Sequence, residues 1–207
     1  MDWNVTCVIL AGGESRRMGQ DKAFIQVGGI RLFDHVYDTC HDLFPEIIIV
    51  ANQPQHFSEY HTKIFMDEIP GAGSLGGLYT GLIKASNDHV FCVACDMPFL
   101  KPALISHLIS KRSKYDVVIP ITRGKLEPLH AVYSKRCIGP IKKLLDKGEF
   151  KVTQFLPEVR VGYCGEEEIK EIDPSFASFI NVNTKKDLLQ IERMLKGGPW
   201  EAQSKIF

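Results

Sequence analysis

Residues 10–22 read LAGGESRRMGQDK, which sets Gly12, Gly13 and Gly19 among Arg16, Arg17 and Lys22. Glycines let main-chain N–H groups close on a ligand without a Cβ in the way. Successive N–H groups make a concave anion site, and nearby cations add charge-assisted hydrogen bonds. Such a stretch is suited to capturing a polyanion such as a nucleoside triphosphate. It matches neither standard phosphate motif. A Walker A loop needs Lys and Ser/Thr directly after its last glycine, whereas Gly19 is followed by Gln20-Asp21-Lys22-Ala23. The dinucleotide fingerprint G-x-G-x-x-G is absent because Gly12 and Gly13 are adjacent. Taken alone, a Gly-Gly beside arginines reads as a solvated turn.

The elements around it set where such a loop would lie. Short runs rich in Val and Ile at 5–10, 46–51, 90–94 and 117–121 have the composition of buried parallel strands. Between them come helical faces: Leu32, Phe33, Val36, Tyr37, Cys40; Leu104, Ile105, Leu108, Ile109, entered through Pro102; Ile138, Ile141, Leu144, Leu145; and Leu188, Ile191, Leu195. This alternation predicts an α/β fold with a mainly parallel, doubly wound sheet covered by helices on both faces, three layers in all. Gly28-Gly29 separates an extended run at 23–27 from the next helix, in a hairpin-like exception, and 129–134 reads as a strand out of sequential order. Residues 1–195 are expected to form one domain, with 196–207 a flexible tail. Open parallel sheets bind ligands at the carboxyl ends of their strands. The glycine-rich loop follows the first strand and Asp96 follows the run ending at 94, so both fall on one rim.

Bulk properties narrow the partners. Lys+Arg and Asp+Glu both total 25, so no global basic field points to nucleic acid. No apolar stretch reaches the roughly 20 residues that span a bilayer, and the N-terminus lacks a signal-peptide pattern, so the expected address is cytoplasmic, without a membrane partner. Cys92-Val93-Ala94-Cys95 is formally C-x-x-C, but residues three apart on a strand face opposite ways. Buried, inert thiols are expected. None of the seven histidines has ligand or triad spacing.

The full string LAGG-x-S-x-RMG-x-DK resembles the signature loop of the nucleotidyltransferases that build the molybdenum cofactor dinucleotide. DEIPGAGSLGG at 67–77, CDMPFL at 95–100, EPLHAVY at 127–133 and NVNT at 181–184 continue the match in the family's order. The resemblance runs over nearly the whole chain and is nearest to the MobA-type guanylyltransferases. It implies the nucleotide-diphosphosugar-transferase fold. It also implies transfer of GMP from Mg²⁺-GTP to molybdenum-bound molybdopterin, with release of pyrophosphate. The implied partners are GTP, the molybdopterin-type cofactor substrate, and molybdoenzyme or carrier proteins. Two alternatives stand beside this: a cytidylyltransferase or other nucleotidyltransferase on the same scaffold, and a GTP-binding protein without turnover.

Residue by residue, the resemblance assigns Asp96 to Mg²⁺, which takes carboxylate, water and phosphate oxygens and offsets charge during phosphoryl transfer. Otherwise Asp96 is a turn or N-cap aspartate. Arg17 and Lys22 would serve the phosphates, as a planar fork and a point charge. Leu10, Ala11, Gly12, Gly13, Lys22, Asn52, Asp67 and Asp96 form the implied nucleotide set, and Gly13 in LAGG favours GTP over CTP. Asn52 reads equally as a turn residue in Ala-Asn-Gln-Pro. Ser74 stands in the second loop where the family usually has proline. Asn181 and Asn183 belong either to the pterin-substrate side or to the turn and N-cap before the last helix, and Glu127-Pro128-Leu129 resembles another pterin-side motif.

Overall fold

The computed structural model describes residues 4–12 and 22–195. Val5–Leu10 is buried at every position and forms the strand β1. It is followed in chain order by β2 (Gln26–Val27), β3 (Ile30–Arg31), α1 (Leu32–Leu43), β4 (Glu46–Val50), β5 (Lys63–Phe65), α2 (Gly73–Lys84), β6 (His89–Ala94), α3 (Pro102–Ser110) and β7 (Val117–Thr122). Then come β8 (Lys125–Leu126), β9 (His130–Ser134), α4 (Ile138–Asp146), β10 (Val161–Cys164), α5 (Glu166–Ile172) and α6 (Lys185–Leu195). The expected tail at 196–207 lies outside the described residues.

The main sheet has the order β10-β7-β9-β6-β1-β4-β5, with β8 added to β7. Strand β1 is central and pairs in parallel with β4 on one side and β6 on the other. Strand β9 is the out-of-order strand, wedged antiparallel between β6 and β7. Alternation along β1 sends Cys7 and Ile9 into a core with α1 and α3, while Val8 and Leu10 enter a core with α2 and α4. The sheet is thus apolar on both faces, as interior parallel strands must be. Cys92 packs on the α2 side and Cys95 on the α1 side, so the C-x-x-C pair diverges.

The structure departs from the sequence expectation in two places. The run 23–27 is not wholly extended, since Lys22–Phe24 is a short 3₁₀ turn ahead of β2. Gly28 and Gly29, at φ 62° and 84°, then turn β2 back onto β3, and α1 follows directly; two successive positive φ values are what a tight hairpin turn needs. The second departure is that the segment expected as a second loop becomes helix α2 from Gly73 onward. Strand β10 and helix α5 add a further parallel unit at the far edge. A small third core seats α6 on the hairpin through Val27, Leu32, Val182, Ile191 and Phe99.

Helix α2 lies unusually close to β1. A Cβ on Gly81 would fall 2.5 Å from Val8 Cγ1 and 2.7 Å from Cγ2. Gly81→Ala should therefore push α2 off the sheet and destabilise the protein by about 1–3 kcal/mol, the usual cost of overpacking. Urea unfolding measures it, and an unchanged midpoint would refute the close contact.

At the amino end of β4, Glu46 joins three segments. It accepts hydrogen bonds from Lys63 Nζ (2.6 Å), the Ser86 N–H (2.9 Å) and hydroxyl (2.7 Å), and the Thr6 hydroxyl. Burial alone would raise its carboxyl, but the hydrogen bonds from Lys63, Thr6 and Ser86 win and hold its pKa at about 2 against an ordinary 4.5. A depressed folded-state value stabilises above the unfolded value and is lost as pH falls through the folded one, here between 4.5 and 2. Glu46→Gln should cost about 1–3 kcal/mol at pH 7 and flatten the stability curve in that acid window, which denaturant titrations at several pH values will read.

Candidate active site

The carboxyl end of β1 is locked to both neighbours by main-chain bonds. Ala11 N–H donates to the Val50 carbonyl at 2.8 Å, and Cys95 N–H donates to the Leu10 carbonyl at 3.1 Å. The segments after β4 and β6 are thereby held on either side of the start of the glycine-rich loop. Between β1 and β4 opens a cleft of about 140 Å³. Leu10, Gly12, Asn52 and Asp67 line it, together with Gly73 and Ser74 from the first turn of α2. Ala11 is buried beside it. Space is tight at the mouth, where a Cβ on Gly12 would lie 3.2 Å from Asn52 Oδ1.

Helix α2 enters this cleft without a side-chain cap or an acidic residue in its first turn. Leading N–H groups of a helix have no partner within it, and the dipole there favours an acceptor or an anion. Asp67 stands nearby, half-buried. Burial pushes its carboxyl up from the ordinary aspartate value, while the Ile69 N–H (3.1 Å) and the Thr80 hydroxyl (3.1 Å) partly offset the rise. Thr80 is fully buried, and its hydroxyl also accepts the Glu68 N–H at 3.0 Å, so it fixes the strand-to-helix turn that carries Asp67. A Cβ on Gly76 would sit 2.7 Å from Asp67 Oδ2, so the glycine is what leaves the carboxylate its place.

Asp96 lies in the turn directly after β6, half-buried. It is not an N-cap, because α3 starts only at Pro102 after Lys101. Its carbonyl accepts the Val182 N–H at 3.0 Å, which brings the NVNT segment against the CDMP turn. Val182 is buried, leaving Asn181 and Asn183 on the outer side of the extended backbone. Asn181 Nδ2 reaches the Phe179 carbonyl at 3.4 Å and lines a second cleft, of about 330 Å³. The N-cap of α6 belongs to Thr184, whose hydroxyl accepts the Asp187 N–H (3.1 Å) while Asp187 accepts the N–H groups of Asn183 (2.9 Å) and Thr184 (2.8 Å). This is a capping box, so neither asparagine caps the helix.

The second cleft is also lined by Glu127, Arg123, Lys125, Phe176 and Phe179. Arg123 and Phe176 have φ of 50° and 54°, a strained region for side chains of this size. Arg123-Gly124 makes the tight turn between β7 and β8. Phe176 is held by Asp173, which is fully buried and accepts the Ser175 hydroxyl (3.1 Å) and the Ser178 N–H (2.8 Å). Glu127 takes a hydrogen bond from the Thr122 hydroxyl, yet burial keeps its carboxyl above the ordinary value. Behind the cleft, His130 packs edge-on to Phe91 and Phe179, with no hydrogen bond to either ring nitrogen among the described residues. Burial drives its pKa down to about 3, so the ring is neutral.

The structure thus gathers Leu10, Gly12, Asn52 and Asp67 at one cleft, leaves Ala11 in the core on the α1 side of the sheet, and sets Asp96 beside the segment of Asn181 and Asn183. Gly13, Arg16, Arg17 and the side chain of Lys22 lie outside the described residues. Thr80, Arg123, Phe176 and Phe179 gave no sequence signal of their own, because a helical threonine and scattered loop aromatics are common everywhere.

Residues 7–160 match the MobA-like NTP transferase domain. A probable molybdenum cofactor guanylyltransferase from Natranaerobius thermophilus is 40% identical over 198 residues, covering 93% of this chain and 97% of that protein. Among solved structures, molybdopterin-guanine dinucleotide biosynthesis protein A from Archaeoglobus fulgidus superposes with a TM-score of 0.83 at 26% identity, covering 93% of this chain and 99% of that one. A 4-diphosphocytidyl-2C-methyl-D-erythritol synthase from Anaerococcus prevotii, at 18% identity and TM-score 0.69 over 93% and 96% of the two chains, shares the fold. The parallel sheet, the rim it builds and the matched span agree: the chain belongs to the MobA-like family of nucleotidyltransferases, with the nucleotide-diphosphosugar-transferase fold.

Proposed function

We propose that the protein is a molybdenum cofactor guanylyltransferase, which transfers GMP from GTP to the terminal phosphate of molybdenum-bound molybdopterin and releases pyrophosphate. The observation that carries this reading is the convergence of Leu10, Gly12, Asn52 and Asp67 on one cleft, with the turn that carries Asp96 bonded to Leu10 through the Cys95 N–H. Guanine offers N1–H and N2–H₂ donors with an O6 acceptor. Asn52 and Asp67 supply side-chain oxygens for the donors, and main-chain N–H groups near Gly12 and the start of α2 can meet O6. The second cleft, with Asn181, Glu127 and the aromatic wall of Phe176 and Phe179, is suited to the flat pterin, and Arg123 and Lys125 to its phosphate.

The donor chemistry on the rim fits Mg²⁺, since Asp96 offers hard carboxylate oxygens and phosphates would supply others. When bound there, Mg²⁺ would offset negative charge on the triphosphate as pyrophosphate leaves. In this reading Arg17 and Lys22, with the N–H groups of the glycine-rich loop through Gly13, grip the phosphates and hold the α-phosphorus in line with the pterin phosphate. Catalysis then comes from positioning and from stabilising developing charge. The attacking phosphate is already an oxyanion, so no general base is needed. The chain would work among GTP, the molybdopterin substrate and the carrier or molybdoenzyme that takes the product. Among the described residues, no helix is long and apolar enough to cross a membrane.

Asp96→Ala should lower kcat at least about a hundredfold, in keeping with the several kcal/mol a bound metal supplies, while the melting temperature stays within a few degrees. Wild-type rates at limiting Mg²⁺ would remove Asp96 from the metal role.

Pyrophosphate release with molybdopterin should favour GTP over CTP by at least about a hundredfold in kcat/KM, because a site built for guanine leaves polar groups unpaired around cytosine. A preference for CTP would overturn the guanylyl reading and leave the fold and rim intact.

A further inference from the structure

The opposite rim of the sheet carries a third cleft, also polar, that the transfer reaction does not use. It opens where β6 and β7 begin and has a volume of about 290 Å³. Arg112, Lys135, Arg136 and Arg160 line it against two carboxylates, Asp88 and Asp116, leaving a surplus of two positive charges. The pairing inside is uneven. Asp116 is buried and shared by two guanidinium groups, accepting from Arg160 at 3.2 and 3.3 Å and from Arg136 at 3.3 Å. Lys135 Nζ and Arg112 reach only neutral main-chain carbonyls, of Ala85 (2.7 Å) and Ile109 (3.1 Å), in their described hydrogen bonds. Arg136 and Arg160 keep side chains 73% and 60% exposed, with donors facing solvent.

The floor of this cleft holds a second feature. Ser134 is 6% exposed and lines the cleft, and its buried hydroxyl has no hydrogen-bond partner among the described residues. The Cys137 thiol beside it is at most a weak partner. A buried hydroxyl left unpaired is costly, and a water or ion that meets it is one way such a group is satisfied in native structures. A surplus of guanidinium donors lining the same cleft describes the recognition chemistry of a phosphate oxyanion.

We propose that this cleft is a second anion site, in which a small phosphate-type oxyanion is held by Arg136, Arg160 and the Ser134 hydroxyl, on the rim opposite the nucleotide cleft. The site does not depend on the guanylyl reading. The anion is either free inorganic phosphate or pyrophosphate, and the two differ in how many oxygens must be met.

His89 provides a local reporter. It lines the same cleft, and burial together with the charges of Arg112 and Arg136 holds its imidazole below the ordinary value, against an opposing pull from Asp88. Its ring resonances, assigned with His89→Gln, should be followed by NMR in the full chain during titration with inorganic phosphate and then with pyrophosphate. Ionic strength is held constant with chloride. A saturable shift with a rise in the His89 pKa is expected, because a bound anion offsets the guanidinium field. Tighter pyrophosphate than phosphate would identify a two-phosphate ligand, and equal binding a single phosphate. Arg136→Ala and Ser134→Ala should each weaken binding about tenfold or more, with turnover at the distant nucleotide cleft unchanged. Arg160 still pairs with Asp116 in the first variant, and the second changes no charge. A shift that chloride reproduces, or saturable binding that both variants retain in full, would overturn the proposal.

Discussion

Leu10 and Ala11 are where the site is held in register. The Leu10 carbonyl is committed to the segment after β6 and the next residue's N–H to the end of β4. A parallel strand with neighbours on both sides can hand its last hydrogen bonds alternately left and right, and β1 does so at the point where the chain leaves the sheet. A slip of one residue would turn Val8 and Leu10 to the opposite core, which the burial of all six β1 residues forbids. Asn52 and Asp96 therefore follow segments that these main-chain bonds tie to Leu10 and Ala11.

The approach of α2 follows from the same strand. Gly77 and Gly81 face Leu10 and Val8, and added Cβ atoms would stand 3.1 Å and 2.5 Å from those side chains. Each glycine in a helix interior costs about 1 kcal/mol relative to alanine. That cost is offset by Leu75, Leu78 and Leu82, all fully buried on the sheet, at roughly 1.5–3 kcal/mol each. Close seating brings the uncapped first turn of α2 to the cleft and leaves room beside Gly76 for Asp67. The helix is short of side chains where the site needs space and rich in leucine where the core needs volume.

This also explains what the sequence made legible. Strands β1, β4, β6 and β7 and helices α1, α3 and α4 carry dense Val, Ile and Leu patterns, so their type and order follow from periodicity, and the shared rim follows from the order. The helix GSLGGLYTGLIK escapes notice, its start reading as part of a loop, because its four glycines mask a helical period that only packing against β1 rewards. Strand β5 is three residues at a sheet edge, with Lys63 exposed, too short for any pattern. Helix α5 opens on Glu166, Glu167 and Glu168 and buries only Ile169 fully, so it too lacks an apolar stripe. At the site, Asp96 stands out because it follows a legible strand, whereas Asp67 is marked only by the resemblance of the segment it opens. The second cleft does not stand out, since its wall depends on where a loop folds back. Asn181 and Asn183 were open to a capping role until Thr184 and Asp187 took it.

The two clefts on the active rim are made from different materials. The first is largely backbone and glycine, with few polar side chains, and such a wall fits a ligand by shape and by fixed main-chain donors. The second is side-chain built, and its rings must be fixed before a flat ligand arrives if ordering them is not to weaken binding. Asp173 meets that need by holding the strained turn at Phe176 from inside the protein. His130 meets it from behind, where an ionised ring would draw water or a counter-ion between the sheet and Phe179. Its burial lowers its pKa to about 3 and keeps it neutral near pH 7, so it serves as an uncharged spacer between the aromatic wall and β6. The second cleft therefore sets the cations Arg123 and Lys125, the Glu127 carboxylate and the rings of Phe176 and Phe179 around one cavity, with a neutral histidine behind the wall.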